Sequence, residues 1–377
     1  MQLNNQMDAI FQQEKEQILA EFETKLRRLQ LQVQNKQYQD GSEYFGELNN
    51  ELRWGQGVYY YFTGDVYAGQ WANDLFDGDG TYIFASGERY QGQLKEGKKH
   101  GFGTYYYLNG NSYTGNWAND KKQGRGVYVY AQTNEKYDGE WNNGLRQGYG
   151  TFTYQCGVYD GEFSNNLKEG KGVLKYKSGA LLDGEWKKDK VEGEAKLTLP
   201  NGDYYKGTWV GSHMNGYGRY QYQSGGYYEG WWKQDQFHGE GMLTYENGDI
   251  YRGEFQTGLK HGKGIYLHQN GDQYEGEFKN DMREGTGVLR MKNGDRYEGE
   301  WSNSLKEGKG TYYFSNGDRF EGNFVAGKRS GHGIMYWSEK SSVSGFWVDD
   351  IMNGQGVIVK ENGDKLQALF KNNKLVA

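Results

Sequence analysis

The sequence predicts an all-β repeat array: an elongated, twisted, single-layer antiparallel sheet of about fifteen β-hairpins, preceded by one N-terminal α-helix. Three observations carry this reading. The pattern Tyr-x-Gly-x-aromatic recurs from residue 44 onward, opened by Tyr44, Tyr67, Tyr90, Tyr113, Tyr137, Tyr159, Leu182, Tyr205, Tyr228, Tyr251, Tyr274, Tyr297, Phe320, Val343 and Leu366. The step is 23 residues, apart from one step of 24 and one of 22 on either side of Tyr137. Eleven residues after each opener comes Gly-x-Gly, from Gly55/Gly57 to Gly354/Gly356, broken only by Ala195. A fixed period of this length marks units that stack on their neighbours.

Each unit reads as two strands. Tyrosine, glycine and aromatic are two residues apart, so they share one face. The second segment behaves alike, as in Gly101, Gly103, Tyr105 and Tyr107. Gln256 to His261 would form the loop between the strands, and Asn-Gly pairs such as Asn270-Gly271 would turn the chain into the next unit. The expected register pairs Phe255 with Gly262, Gly253 with Gly264 and Tyr251 with Tyr266. It sets Glu254 against Lys263, Glu300 against Lys309, and Glu162 against Lys171. Glycine weakens a strand interior, so its regular use needs a gain: room for a large ring over the backbone.

Residues 1–40 differ. All 60 glycines lie at Gly41 or later. Before it, Leu3, Met7, Ile10, Phe11, Ile18, Phe22, Leu26, Leu29 and Val33 form a stripe at helical spacing, predicting one amphipathic helix over about 3–37. The stripe Phe11, Ile18, Phe22, Leu26, Leu29 and Val33 must be buried somewhere, on the chain's own repeats as a cap or on a partner. The domain reading is therefore 1–40 helix and 41–377 array, with fourteen complete repeats and one partial.

Composition narrows the function. Net charge is −6, with −5 on the repeats, so nucleic acid has no electrostatic attraction to them. A single cysteine, Cys156, allows no intrachain disulfide and fits a reducing, cytoplasmic setting. The polar N-terminus has no signal-peptide pattern, and no apolar run reaches membrane-span length. No Ser/His/Asp or Cys/His set breaks the repeat, so neither catalysis nor a cofactor is expected. His100, His238 and His261 stand one or more repeats apart, and His332 lies inside a Gly-x-Gly. Equivalent loops ~10 Å apart cannot share an ion, so no metal is expected.

The 23-residue unit resembles the MORN repeat (membrane occupation and recognition nexus), most clearly at Tyr113-Thr-Gly115-Asn-Trp117, Tyr137-Asp-Gly139-Glu-Trp141 and Tyr297-Glu-Gly299-Glu-Trp301. The resemblance implies a non-catalytic scaffold of a cytoskeletal assembly, similar to ciliary MORN proteins such as those of axonemal radial spoke heads. Partners would be other proteins of such a complex, with self-association a further option. Two surfaces compete. An aromatic groove would comprise Tyr113, Trp117, Tyr137, Trp141, Tyr228, Trp232, Tyr251, Phe255, Tyr274, Phe278, Tyr297 and Trp301, residue types favoured at interfaces. The name of the repeat implies the alternative, anionic phosphoinositides held by basic hairpin tips at Lys98, Lys99, Lys121, Lys122, Lys187 and Lys188. Acids beside these clusters make solvated loops the commoner meaning.

Overall fold

A computed structural model describes residues 2–29 and 31–376, without the side chains of residues 2–11 and 14. The stripe residues Leu3, Met7, Ile10 and Phe11 therefore lie outside the described side chains. Two compact units comprise residues 1–190 and 191–377, divided inside the degenerate seventh copy. One helix, α1 (Gln2–Arg28), is followed by 31 strands. Within each unit the described strand pairings are antiparallel and join sequence neighbours, as in Ile250–Gln256 with Leu259–Leu267 and the latter with Gln273–Lys279. The strands belong to one sheet, which does not close on itself. The expectation of a hairpin array preceded by one helix is met.

The register corrects the sequence reading in part. Tyr251 faces Tyr266 and Gly253 faces Gly264, as expected, but Phe255 faces Lys260 across a bulge. Gly262 instead faces Phe278 of the next repeat. The loop is two residues long, not six. Thr257 (φ 50°) and Gly258 (φ 83°) are both left-handed, the backbone of the tight hairpin turn that matches strand twist. Gly262 (φ 59°) holds the bulge. Glu254 consequently does not oppose the Lys263 side chain; its carboxylate accepts the Lys263 backbone N–H at 3.1 Å. Lys263 lies opposite Glu277. The other expected pairs fail likewise: Lys171 opposes Glu185, and Lys309 opposes Asn323.

The glycines serve the predicted purpose. A Cβ on Gly264 would come within 2.5 Å of the Tyr251 ring, and one on Gly253 within 2.5 Å of the Gly264 backbone. Each opener ring thus lies across the Gly–Gly pair of its own hairpin. Asn-Gly turns connect the units as expected; Asn270 Oδ1 accepts the Asp272 N–H at 2.9 Å.

The helix is shorter than predicted. It ends at Arg28, with Lys25, Arg27 and Arg28 in its last turn complementing the dipole. Gln34–Gln37 then forms a strand paired with Glu43–Gly46. Val33 therefore leaves the helical stripe. Pairing with the otherwise bare edge of the first repeat satisfies backbone groups that a longer helix would leave open.

Candidate functional site

The two faces of the sheet differ in chemistry. On the ring face, opener and fifth-position aromatics zigzag from repeat to repeat. Tyr251 meets Phe255 at 5.1 Å and Phe278 at 5.0 Å, Tyr274 meets Phe278 at 5.1 Å, and Tyr297 meets Trp301 at 5.2 Å, all edge-to-face. The continuous strip expected from the period is present. Its twelve named rings, however, are buried: the six tyrosines are fully inaccessible and the others are at most 5% exposed. The expectation that this layer stays partly open as a groove is corrected. The second residue of the second strand lies over the opener in several repeats, as Phe237 does on Tyr228 at 3.8 Å and Lys260 on Tyr251 at 5.9 Å.

Hydrogen bonds explain the residue types. In eleven repeats the opener hydroxyl donates to the carbonyl three residues on, as Tyr274 does to Glu277 at 3.1 Å. Burial pushes the Tyr274 hydroxyl up to about 12. The tryptophans tie successive repeats: Trp117 Nε1–H donates to the Gly103 carbonyl at 3.1 Å and Trp301 to that of Gly287 at 3.2 Å.

The six lysines separate. Lys98, Lys121, Lys187 and Lys188 are exposed. Lys99 and Lys122 are half-buried and fold back over rings, Lys99 Nζ 5.6 Å from Trp117 and Lys122 Nζ 4.6 Å from Trp141. Those two do not point outward as tips. Cys156 is exposed in a turn. Among the described residues, no group of three His, Cys, Asp or Glu side chains could hold a metal ion.

The opposite face carries the open surfaces. On the first repeats α1 covers it. Leu26 is fully buried with Val58, Val66 and Ala68, and Leu19, Phe22, Leu31 and Val33 pack around them. Tyr60 donates to Glu23 at 3.1 Å. For these residues the helix is a cap on its own repeats, while Leu29 remains 52% exposed and Ile18 half-buried.

Within the second unit the same face is uncovered and forms a groove of about 740 Å³. Met242 and Ile265, whole periods after Val58, line its floor. Tyr217 and Trp231 stand in its wall, 51% and 52% exposed, with ring centroids 6.1 Å apart at 84°. Glu229, Glu240, Glu275 and Glu277 outnumber Arg252 and Lys263 around it. Sequence reasoning missed this site. The available signal was off the repeat: aromatics at the x positions of Gly216-Tyr217-Gly218 and Gly230-Trp231-Trp232, two in adjacent strands where most units carry polar residues and only a few, such as Phe102, Tyr149 and Phe346, do not.

The MORN repeat matches fourteen consecutive stretches, from 44–66 to 344–365. This chain belongs to the MORN-repeat family. The partial copy at Leu366 lies beyond the match, and the stretches starting at 183 and 344 begin one residue after the atypical openers Leu182 and Val343. The MORN units make the chain a repeat-built module of the protein-interaction or membrane-associated kind. No curated protein matches it. Similar solved structures include the Drosophila melanogaster SAS-4 (dCPAP) TCP domain in complex with a proline-rich motif of Ana2 (dSTIL), at 13% identity, 53% of this chain, 90% of that one and TM-score 0.27. The Danio rerio CPAP TCP10 domain in complex with a STIL peptide gives 9%, 82%, 95% and 0.16. Staphylococcus aureus virginiamycin B lyase gives 12%, 77%, 83% and 0.13. Likenesses this slight carry nothing about function. Among the described residues, no helix is long and apolar enough to cross a membrane.

Proposed function

We propose that this MORN-repeat chain is a non-catalytic scaffold subunit of a cytoskeletal assembly, ciliary in the family's resemblance, and that it holds a partner helix on the face opposite its rings. One observation carries the reading. Leu26 of α1 is fully buried on Val58, while the periodic equivalents Met242 and Ile265 have no helix over them. The fitting occupant is an amphipathic helix, its apolar ridge on Met242, Ile265, Tyr217 and Trp231 and its lysines or arginines toward Glu229, Glu240, Glu275 and Glu277.

The test compares wild type with Trp231→Ser/Met242→Asp in cells, scoring retention in the detergent- and salt-resistant cytoskeletal pool. Loss of retention with an unchanged circular dichroism spectrum is expected. Normal retention of the variant would remove the groove, and absence of wild type from that pool would remove the cytoskeletal assignment. Exposed Lys98, Lys121, Lys187 and Lys188 leave membrane apposition as the second reading. It requires binding to phosphoinositide vesicles that falls steeply with salt.

A further inference from the structure

A cation lies over the rings where the second strand opens in many repeats, and it usually meets an acid from the next repeat. Lys99 Nζ is 3.5 Å from Asp120, Lys260 Nζ 3.8 Å from Asp281, and Arg329 Nε 2.9 Å from Asp350. The backbone marks the partner: the Asp120 N–H donates to the Lys99 carbonyl at 3.1 Å. At Lys122 the same bond, 2.9 Å, comes from Gly144, which has no carboxylate to offer. Lys122 Nζ instead lies 4.4 Å from the Tyr128 centroid, 4.6 Å from Trp141, 5.3 Å from Tyr113 and 5.7 Å from Tyr107. The charged neighbour acting on it is Arg146, which repels it.

We propose that Lys122 is a covalent attachment site for small aldehydes, its amine forming a Schiff base that the surrounding rings hold as an iminium.

The chemistry follows from the cage. Burial, with Arg146 adding to it, lowers the Lys122 ammonium to about 8, so part of it is neutral near physiological pH. The Nζ lone pair attacks the carbonyl carbon, forming the C–N bond as the C=O π pair moves to oxygen. A proton passes from nitrogen to that oxygen. A second proton, from water, lets the hydroxyl depart as water and leaves a C=N⁺ iminium. No oxidant or reductant is consumed. The product keeps a cation against four π faces. An amide would discard that charge, so the cage favours aldehydes over acyl donors.

The test treats the intact protein with acetaldehyde, traps adducts with borohydride and maps them by peptide mass spectrometry. At pH 7.4 Lys122 should be modified about tenfold faster than exposed Lys98 and Lys121, because far more of it is neutral. Its rate should rise with a midpoint near pH 8. Gly144→Asp restores the missing acid at a left-handed position (φ 85°) of the kind Asp120 already occupies at φ 66°. It should bring Lys122 down toward the rate of Lys121, whereas the uncharged Gly144→Asn should not. Equal modification of Lys121 and Lys122 in wild type would overturn the proposal. So would a Gly144→Asp rate equal to that of Gly144→Asn in folded protein.

Discussion

Trp301 packs edge-to-face with Tyr274, one repeat earlier, their ring centroids 5.2 Å apart at 83°. The same tryptophan donates its N–H to the Gly287 carbonyl. Packing and hydrogen bonding between repeats thus pass through one side chain that is 4% exposed. Trp301→Ala should cost ~3–5 kcal/mol, the usual loss for a buried tryptophan. Because units contact only neighbours, amide exchange should quicken in the flanking hairpins and stay slow in residues 44–190. Full stability with loss of partner would show that the ring serves an interface instead.

The tyrosine hydroxyl contributes separately from its ring. Tyr274→Phe keeps the packing on Gly276 and Gly287 but leaves the Glu277 carbonyl without its 3.1 Å donor. The expected loss is ~1 kcal/mol in urea unfolding. Phe320 is the natural counterpart, with its ring on Gly322 and Gly333. Phe320→Tyr should therefore gain a similar amount. Opposite signs at the two positions are the diagnostic result.

Much of this was readable from the sequence. The period gives the hairpins, and the two-residue spacing gives the ring zigzag and the glycine pairs beneath it. The bulge was not readable. It depends on Gly262 at φ 59°, which lets two extra residues be absorbed between Lys260 and Gly264. Solvent exposure was not readable either. Alternation shows that Tyr251 and Phe255 share a face, but not that Lys260 folds over Tyr251 and Tyr266 and closes it. Tyr217, Trp231, Met242 and Ile265 sit at positions the period leaves free, so a search for what recurs passes over them. The helix end was hidden because Val33 continues the apolar stripe while packing, with Leu31, from outside the helix.

The N-terminal helix offers a contrast with the groove. Leu26→Ala should cost ~2–5 kcal/mol where it is felt, since the side chain is fully buried. The effect should appear as faster exchange at Val58, Val66 and Ala68, with residues 191–377 unchanged. Leu29→Ala, at a residue 52% exposed, should change stability by less than ~0.5 kcal/mol. Equal effects of the two changes would contradict the seating of α1.

Acid should loosen the array through its inter-repeat aspartates. Burial works against ionisation of Asp350, but the Arg329 backbone N–H, its guanidinium hydrogen bond and its charge outweigh that and hold the carboxyl below its usual range. Asp74 is lowered in the same way by Arg53. A depressed carboxyl stabilises the fold fully above its unfolded value, about 4, and loses that contribution as pH falls through the lower folded value. The urea midpoint should therefore be flat on this account from pH 7 to about 5 and fall below about pH 4. Asp350→Asn keeps an acceptor for the Arg329 N–H, as Asn166 does for Arg146 at 2.9 Å, yet removes the titration. The variant should start lower at pH 7 and lose less on acidification. An acid dependence identical to wild type would mean that Asp350 is not among the groups that report it.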